Sequence, residues 1–355
     1  MRRCSTEERA YLFYRVQISL ILCSLFIALL IPVVGQTKIT EYQSYGPLYT
    51  RSQNSLYLQF LAMPIESPQT LKKGQKEAFT HTTFSNVFEY SPITNTFLNL
   101  DMEIWRTAFN FKYGVTDEID VMIEMPFITN SGGFLDGFVQ WYHNLFGLPN
   151  GGKELVSNNE YHYEITQNGT ALVSYPKTLF GLSDITLRCK YFFSDRLKLP
   201  IKVAWTGYFK VPIGRFSRGL SSGQVDAGFS FLAEKQIKRF HFVTQLGVAV
   251  LGMSEDLATI QKRGLFVFGQ SVEFQLVQNL SIIIQLTGNT AGFKDVDTGD
   301  LTDAVADLNI GIAGSFDLKK GWFDTFFYQW SFSEDVLSRG PSVDFSVLFL
   351  AGVRY

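Results

Sequence analysis

The sequence is short of charge, of histidine and of cysteine. Asp, Glu, Lys and Arg make up 18% of its 355 residues, below the share of about a quarter usual in soluble domains. Its outer surface therefore need not be hydrated as a soluble protein's is. The formal charge of −2 comes with no basic patch, which argues against a nucleic-acid partner. Long apolar runs are missing too: only Val16 to Val34 approaches the roughly 20 residues of a membrane-spanning helix, so a helical bundle is excluded. No H-E-x-x-H, CxxC or phosphate loop occurs. The four histidines, His81, His143, His162 and His241, sit in no nucleophile motif, so the sequence predicts neither an enzyme nor a bound cofactor or metal.

The single apolar run follows Arg2, Arg3, Arg9 and Arg15 and ends at Gly35-Gln36. A basic start, an apolar core and a small residue at the exit read as a secretory signal over residues 1–35. An uncleaved inner-membrane anchor is the alternative, and lipid attachment at Cys23 is disfavoured by the preceding Leu22. Removing these residues takes four Arg and two Glu with it, moving the formal charge from −2 to −4. It also takes Cys4 and Cys23, so the exported chain keeps only Cys189 and has no internal disulfide.

Aromatics, by contrast, are plentiful, with 33 Phe and 16 Tyr. From residue 76 onward nearly every segment alternates with period two, the mark of strands whose faces see different surroundings. Ala304, Ala306, Leu308, Ile310, Ile312 and Phe316 oppose Asp303, Asp307, Asn309 and Ser315; Ile119, Val121, Ile123 and Met125 oppose Asp120 and Glu124. By the same rule Leu98, Leu100, Met102 and Ile104 are read as facing lipid, and Asn99, Asp101 and Glu103 as facing the lumen. Twelve strands are expected, at 76–90, 96–113, 117–127, 183–193, 198–212, 223–235, 238–252, 263–276, 279–289, 303–317, 321–334 and 342–355. Each is long enough to cross a bilayer at a tilt.

Short and long links alternate along the chain. "GVTDE", "SDRLK", "KQIK", "VQNL" and "LKKG" are short, whereas the others include residues 128–182 and "GMSEDLATIQKR". That is the layout of a transmembrane, antiparallel up-and-down β-barrel of the outer membrane, all-β, with both ends in the periplasm. A soluble β-sandwich would also alternate. It is disfavoured by large aromatics such as Trp205, Phe209, Phe229, Trp330 and Phe332 on the apolar face and by charges at strand centres. The expected organisation is a signal over 1–35, a periplasmic segment over 36–75, and a barrel over 76–355 with an extracellular loop at 128–182.

Two stretches, "SYGPLYTRSQNSLYLQF" (44–60) and "GGFLDGFVQWYHNLFGLPNGGKE" (132–154), resemble a family of bacterial outer-membrane proteins catalogued as domain of unknown function 3187. "GLSDITLRCKYFF" (181–193) and "FKVPIGRFSRGLSSGQVDAGFSF" (209–231) are similar to that family and also to outer-membrane barrels associated with the meta-pathway of phenol degradation. The resemblance implies location and fold and hints at transport, with no settled activity to carry over.

Candidate lumen residues are Asp101, Glu103, Asp120 and Glu124 on an acidic wall and Arg188, Lys190, Lys202 and Lys210 on a basic one. Facing walls of opposite charge could orient a polar or zwitterionic solute. The reading preferred here is an internal salt-bridge ladder, because twelve strands enclose less space than an open porin. In the long loop, Leu135, Phe138, Tyr142 and Leu145 recur at helical spacing before Gly147, predicting a short helix over 134–146 that lies on the membrane surface or gates the barrel mouth. Asp136, Gln140 and His143 form its solvated face.

The last strand places Phe345, Val347, Phe349, Ala351, Val353 and Tyr355 toward lipid, and Asp344, Ser346 and Arg354 inward. It should pair with the first strand near Phe79 to Phe88. Phe349, Val353 and Tyr355 read as an assembly signal for the barrel assembly machinery, with outer-membrane lipid as the other partner. The function expected is passive transport of small polar or amphipathic solutes. A closed structural or adhesion barrel is the alternative, and a lipid-modifying enzyme stands further off.

Overall fold

The computed structural model describes residues 42–92, 95–147, 152–153, 156–194, 200–296, 299–318, 322–337, 340–341, 343 and 345–355. The expected signal segment and Asp344 lie outside the described residues. One antiparallel sheet contains β1 (Lys76–Pro92), β2 (Thr96–Gly114), β3 (Ile119–Ser131), β4 (His162–Gln167), β5 (Thr170–Ser174), β6 (Thr178–Leu182), β7 (Ile185–Phe192), β8 (Lys202–Val211), β9 (Asp226–Ile237), β10 (Phe240–Val250), β11 (Gly264–Val277), β12 (Leu280–Asn289), β13 (Val305–Asp317), β14 (Thr325–Asp335) and β15 (Phe345–Arg354).

Twelve of these, β1 to β3 and β7 to β15, pair in succession around a ring. The ring closes where β15 meets β1, in register from Glu77↔Arg354 to Asn86↔Phe345. With no free edge, every wall strand has a partner on both sides, the condition for a sheet to sit in hydrocarbon. The expected twelve-stranded barrel is the fold. No helix among the described residues is long and apolar enough to cross a membrane.

Short turns join the wall strands at one end, where Lys76 and Tyr355 also pair through Tyr355 N–H to Lys76 O (2.9 Å) and Lys76 N–H to Tyr355 O (2.7 Å). The long links gather at the other end. There the 128–182 link proves to hold more than a helix. β3 continues to Ser131, α1 spans Asp136–Phe146, β4 and β5 form a hairpin that extends β2, and β6 pairs with β3. The hairpin turns at Asn168 and Gly169, both at positive φ (51° and 77°), as a two-residue type I′ turn requires. "NGT" thus has a structural use.

β1 and β2 are 17 and 19 residues long, well beyond the roughly 9–11 that a tilted crossing needs. This length decides which face is apolar. Near the turn end Trp105, Phe109, Phe111 and Tyr113 of β2 are exposed outward, while Arg106 and Asn110 are buried inward. Past Trp105 the apolar side chains change parity. Leu98, Leu100, Met102 and Ile104 point inward and pack with Leu56, Tyr57, Leu58 and Phe60. Asp101 and Glu103 are therefore on the outer face, beneath the long loop, and not in the lumen as expected. The backbone register is continuous here; what changes is the surroundings. Above the bilayer the outer face leaves lipid, and the inner face meets an apolar core.

Candidate functional site

The lumen is occupied by the chain's own N-terminal segment. Residues 36–75 were expected in the periplasm, but from Tyr42 onward they run up the inside of the barrel and back. On the ascending limb, Glu273 of β11 accepts from the backbone N–H of Tyr45 (2.8 Å) and Gly46 (3.1 Å) and from the hydroxyl of Ser44 (2.7 Å). Gln285 of β12 accepts from Leu48 N–H (3.0 Å) and donates to Leu48 O (2.9 Å). Gln329 of β14 likewise accepts from Tyr49 N–H (2.9 Å) and donates to Pro47 O (2.9 Å). A side-chain amide carries the donor and acceptor of a peptide, so these glutamines pair the segment's backbone to the wall without a β-ladder.

At the loop end the segment reverses. Asn54 accepts from Leu56 N–H (2.9 Å), a 3₁₀ turn follows at Tyr57–Gln59, and Arg51 donates to the carbonyls of Tyr57 (3.1 Å) and Phe60 (3.3 Å). Tyr57, Phe60 and Phe293 stack edge to face or tilted within 6 Å. This apolar knot is what Leu98 to Ile104 cover. The descending limb is held by Asp226 on Leu61 N–H (2.9 Å), Gln245 on Met63 O (3.1 Å), Glu234 on Ser67 Oγ (2.7 Å) and Asp120 on Leu71 N–H (3.1 Å).

The wall makes room for it with glycine. A Cβ on Gly228 would lie 2.5 Å from Met63 Sδ and 2.9 Å from a Leu61 methyl, and one on Gly269 3.2 Å from Ile65. Side chains at those positions would occupy the track of the descending limb.

Six of the eight predicted charges do face inward, each with a partner. Asp120 and Glu66 flank Arg188 (2.6 and 2.8 Å), and Glu66 also accepts from Lys190 (3.3 Å). Glu124 pairs with Arg106 and accepts from Tyr49 Oη (3.1 Å). Lys202 meets Glu234 (3.1 Å), and Lys210 meets Asp184 (3.0 Å) and Asp226 (3.1 Å). The geometry is a paired ladder rather than two opposed walls, and its key carboxylate, Glu66, belongs to the plug. Glu66, Arg106, Gln285 and Gln329 were not singled out from the sequence. Arg106 was legible, since it shares parity with Asn110 in a strand whose odd positions are aromatic.

On the outer face, Asp101 and Asp136 share Lys153 (2.6 and 2.9 Å), and Glu103 accepts from the N–H groups of Phe134 and Leu135. Of the predicted helix stripe, Leu135 and Tyr142 are half-buried while Phe138 and Leu145 are exposed; Asp136 and His143, expected in solvent, are buried against the barrel. Among the described residues no group of three or more metal-ligating side chains occurs.

What space remains is unequal. At the turn end a vestibule of about 820 Å³ is lined by Glu77, Lys112, Lys190, Lys202, His241 and Arg354 among others. Above it, between Arg51, Tyr57, Phe60 and Asp307, a cavity of only about 60 Å³ is left. The barrel is open to one side and filled toward the other.

A family model described as a protein of unknown function (DUF3187) matches residues 22–355. The chain belongs to this family. No curated protein matches the sequence. Among solved structures, this DUF3187 chain is similar to the COG4313 outer-membrane channel from Pseudomonas putida F1, with TM-score 0.51 and 11% identity over 83% of this chain and 100% of that one. It is more distantly similar to the KdgM porin in complex with disordered oligogalacturonate (TM-score 0.39, 6% identity, 79% and 98% covered) and to the Ralstonia pickettii toluene transporter TbuX (0.36, 9%, 81% and 92%). The first likeness establishes the fold as that of an outer-membrane barrel. The closed sheet and its exposed aromatic outer face place this DUF3187 protein in the outer membrane.

Proposed function

We propose that this protein is a passive transport barrel for small polar or amphipathic solutes, closed at rest by its own N-terminal segment. The observation that carries the reading is how the segment is held. The wall's hydrogen-bond ladder closes without it, and from Tyr42 to Lys73 its contacts with the wall are side-chain hydrogen bonds, ion pairs and apolar packing, with backbone pairing to Gly114 only where Gly74 and Gln75 lead into β1. Such contacts can be exchanged for water one at a time, so the plug can leave while the barrel stands. The vestibule on the periplasmic side gives a solute or water a place to wait below it. The outer-membrane channel that shares its fold supports the same direction, and the likeness of 181–193 and 209–231 to phenol meta-pathway barrels makes small aromatic compounds the first solutes to test.

The competing reading is a closed structural or adhesion barrel, favoured by the completeness with which the lumen charges are paired. An enzyme fits less well. The partners of the histidines are Arg106 and Asn110 for His81, Glu334 for His143, Glu160 for His162 and Glu234 for His241, which fix side chains rather than activate a nucleophile.

Single-channel recording in planar bilayers decides between the first two. The refolded full chain should show small, intermittent openings, and Glu66→Gln combined with Gln329→Ala should open more often and wider. Silence from both, with the barrels demonstrably inserted, would leave the closed barrel as the function.

A further inference from the structure

α1 is turned the wrong way round for a helix in water. Asp136, Val139 and His143 are buried against the barrel, whereas Trp141 and Leu145 are 58% and 61% exposed and Phe138, with one edge on Phe345, is still 44% exposed. A soluble amphipathic helix buries its apolar stripe; this one is locked in the opposite rotation. Asn86 of β1 donates to Asp136 (2.7 Å), Lys153 pairs with Asp136 (2.9 Å), and the carboxylate of Glu103 accepts the amides just before the helix, acting as an N-terminal cap supplied by the wall. Gly133, at φ +65°, lies where any Cβ would collide with Glu103, so the approach depends on glycine.

The helix also lies on the lipid-facing side of the barrel. Phe138 and Tyr142 pack on Phe345, and Tyr142 on Phe332. Phe134, just before the helix, packs on Phe84, which packs on Trp105. These are outward residues of β14, β15, β1 and β2, and Trp330, Phe349 and Trp105 beside them are exposed. Depth agrees. The eight steps from Tyr113 to Trp105, at about 3.3 Å each and a tilt of about 40°, rise ~20 Å, within a few ångström of the roughly 25 Å apolar band of such barrels. α1 begins where that band ends.

We infer that the outward face of α1 (Phe138, Trp141 and Leu145, with Phe134) is seated in the acyl-chain margin of the outer leaflet. The loop is then a lipid-bound clasp over the β15–β1 closing seam rather than an extracellular gate. Continuity with the exposed aromatic belt picks lipid over a protein partner. The polar contacts beneath, from Asp136, Glu103 and Lys153, set the rotation that presents the apolar side outward. The inference is independent of whether the lumen conducts.

The test uses the full chain with Trp105→Phe, Trp205→Phe, Trp322→Phe and Trp330→Phe, leaving Trp141 as the sole indole, refolded into vesicles of phosphatidylcholine brominated on the acyl chains. Trp141 should lose most of its emission to the bromines, as a sole-Trp330 reference does, and resist aqueous iodide. Quenching by iodide without quenching by bromolipid would overturn the inference. Protection from both quenchers would also overturn it, by showing protein, such as a second copy, over the helix. If the sole-Trp chain fails to refold, Leu145→Cys with Cys4→Ser, Cys23→Ser and Cys189→Ser, carrying a polarity-sensitive label on that single thiol, reads the same surroundings through the label's emission shift. A water-like emission would then count against lipid contact.

Discussion

Gly228 of β9 faces Met63 of the N-terminal segment so closely that a Cβ added to the glycine would stand 2.5 Å from the sulfur. The other close neighbours of that Cβ, a Leu61 methyl and Met63 Cγ, also belong to the plug, so the position probes the plug and spares the wall. Gly228→Leu is predicted to expel or shift residues 61–65 at a cost of about 1–3 kcal/mol, the usual range for overpacking. Conductance should rise while the folded band on a heat-modifiability gel persists. An unchanged conductance with a folded barrel would mean that the plug does not limit passage.

The buried polar knot on the outer face makes a separate prediction. Lys153 is the shared cation of Asp101 and Asp136, with Glu103 alongside, and all four are nearly buried. Lys153→Met leaves carboxylates buried without that cation, which is typically worth about 3–5 kcal/mol. Lys153 and α1 lie outside the closed ladder of wall strands, so the loss should appear locally. Limited proteolysis should cut between residues 132 and 160 while the barrel stays intact. Resistance equal to the wild type would show that Lys153 does not hold the loop down.

How much of this was legible in the sequence depends on which surroundings each residue meets. Period two gave the strands, their count and the closing pair, because alternation reports backbone geometry directly. It did not say which side is lipid. The alternation of Leu98 to Ile104, taken with its apolar face toward lipid, puts Asp101 and Glu103 in the lumen. Yet the parity of its apolar residues switches between Ile104 and Trp105, and that switch marks the bilayer edge. The plug was less accessible still. Residues 42–75 have no strong period, being neither strand nor long helix, and their contacts with Glu273, Gln285 and Gln329 span more than 200 positions.

The face assignment away from β2 has its own test in two residues of neighbouring strands. Ile284 of β12 points outward, and Asp307 of β13 inward, where it is 6% exposed beside Arg51 in a small cavity. Ile284→Asp puts a carboxyl into lipid, at a cost of up to about 2 kcal/mol for an acidic side chain near mid-depth, and should reduce the assembled fraction on a heat-modifiability gel. Asp307→Asn keeps size and hydrogen-bonding capacity and should assemble as the wild type does. Equal assembly of the two variants would reverse the reading.

The closing seam supplies the last prediction. Tyr355 exchanges two backbone hydrogen bonds with Lys76, its ring lies 5.5 Å beneath the Lys76 ammonium, and it packs edge to face on Phe323. Outward on the same strand stand Val353 and the exposed Phe349, and we read these three as the signal by which the assembly machinery recognises the chain. Deleting Tyr355 removes the final rung of the β15–β1 pair and its aromatic anchor at the periplasmic boundary. Ten register pairs remain, so the assembled barrel should lose only about 1–2 kcal/mol, the worth of two net hydrogen bonds. The rate of appearance of the heat-modifiable band in cells should fall by much more than that stability loss accounts for, while the conductance of those barrels that do assemble stays at the wild-type value. A fall in conductance with normal assembly would instead place Tyr355 in the passage and not in the seam.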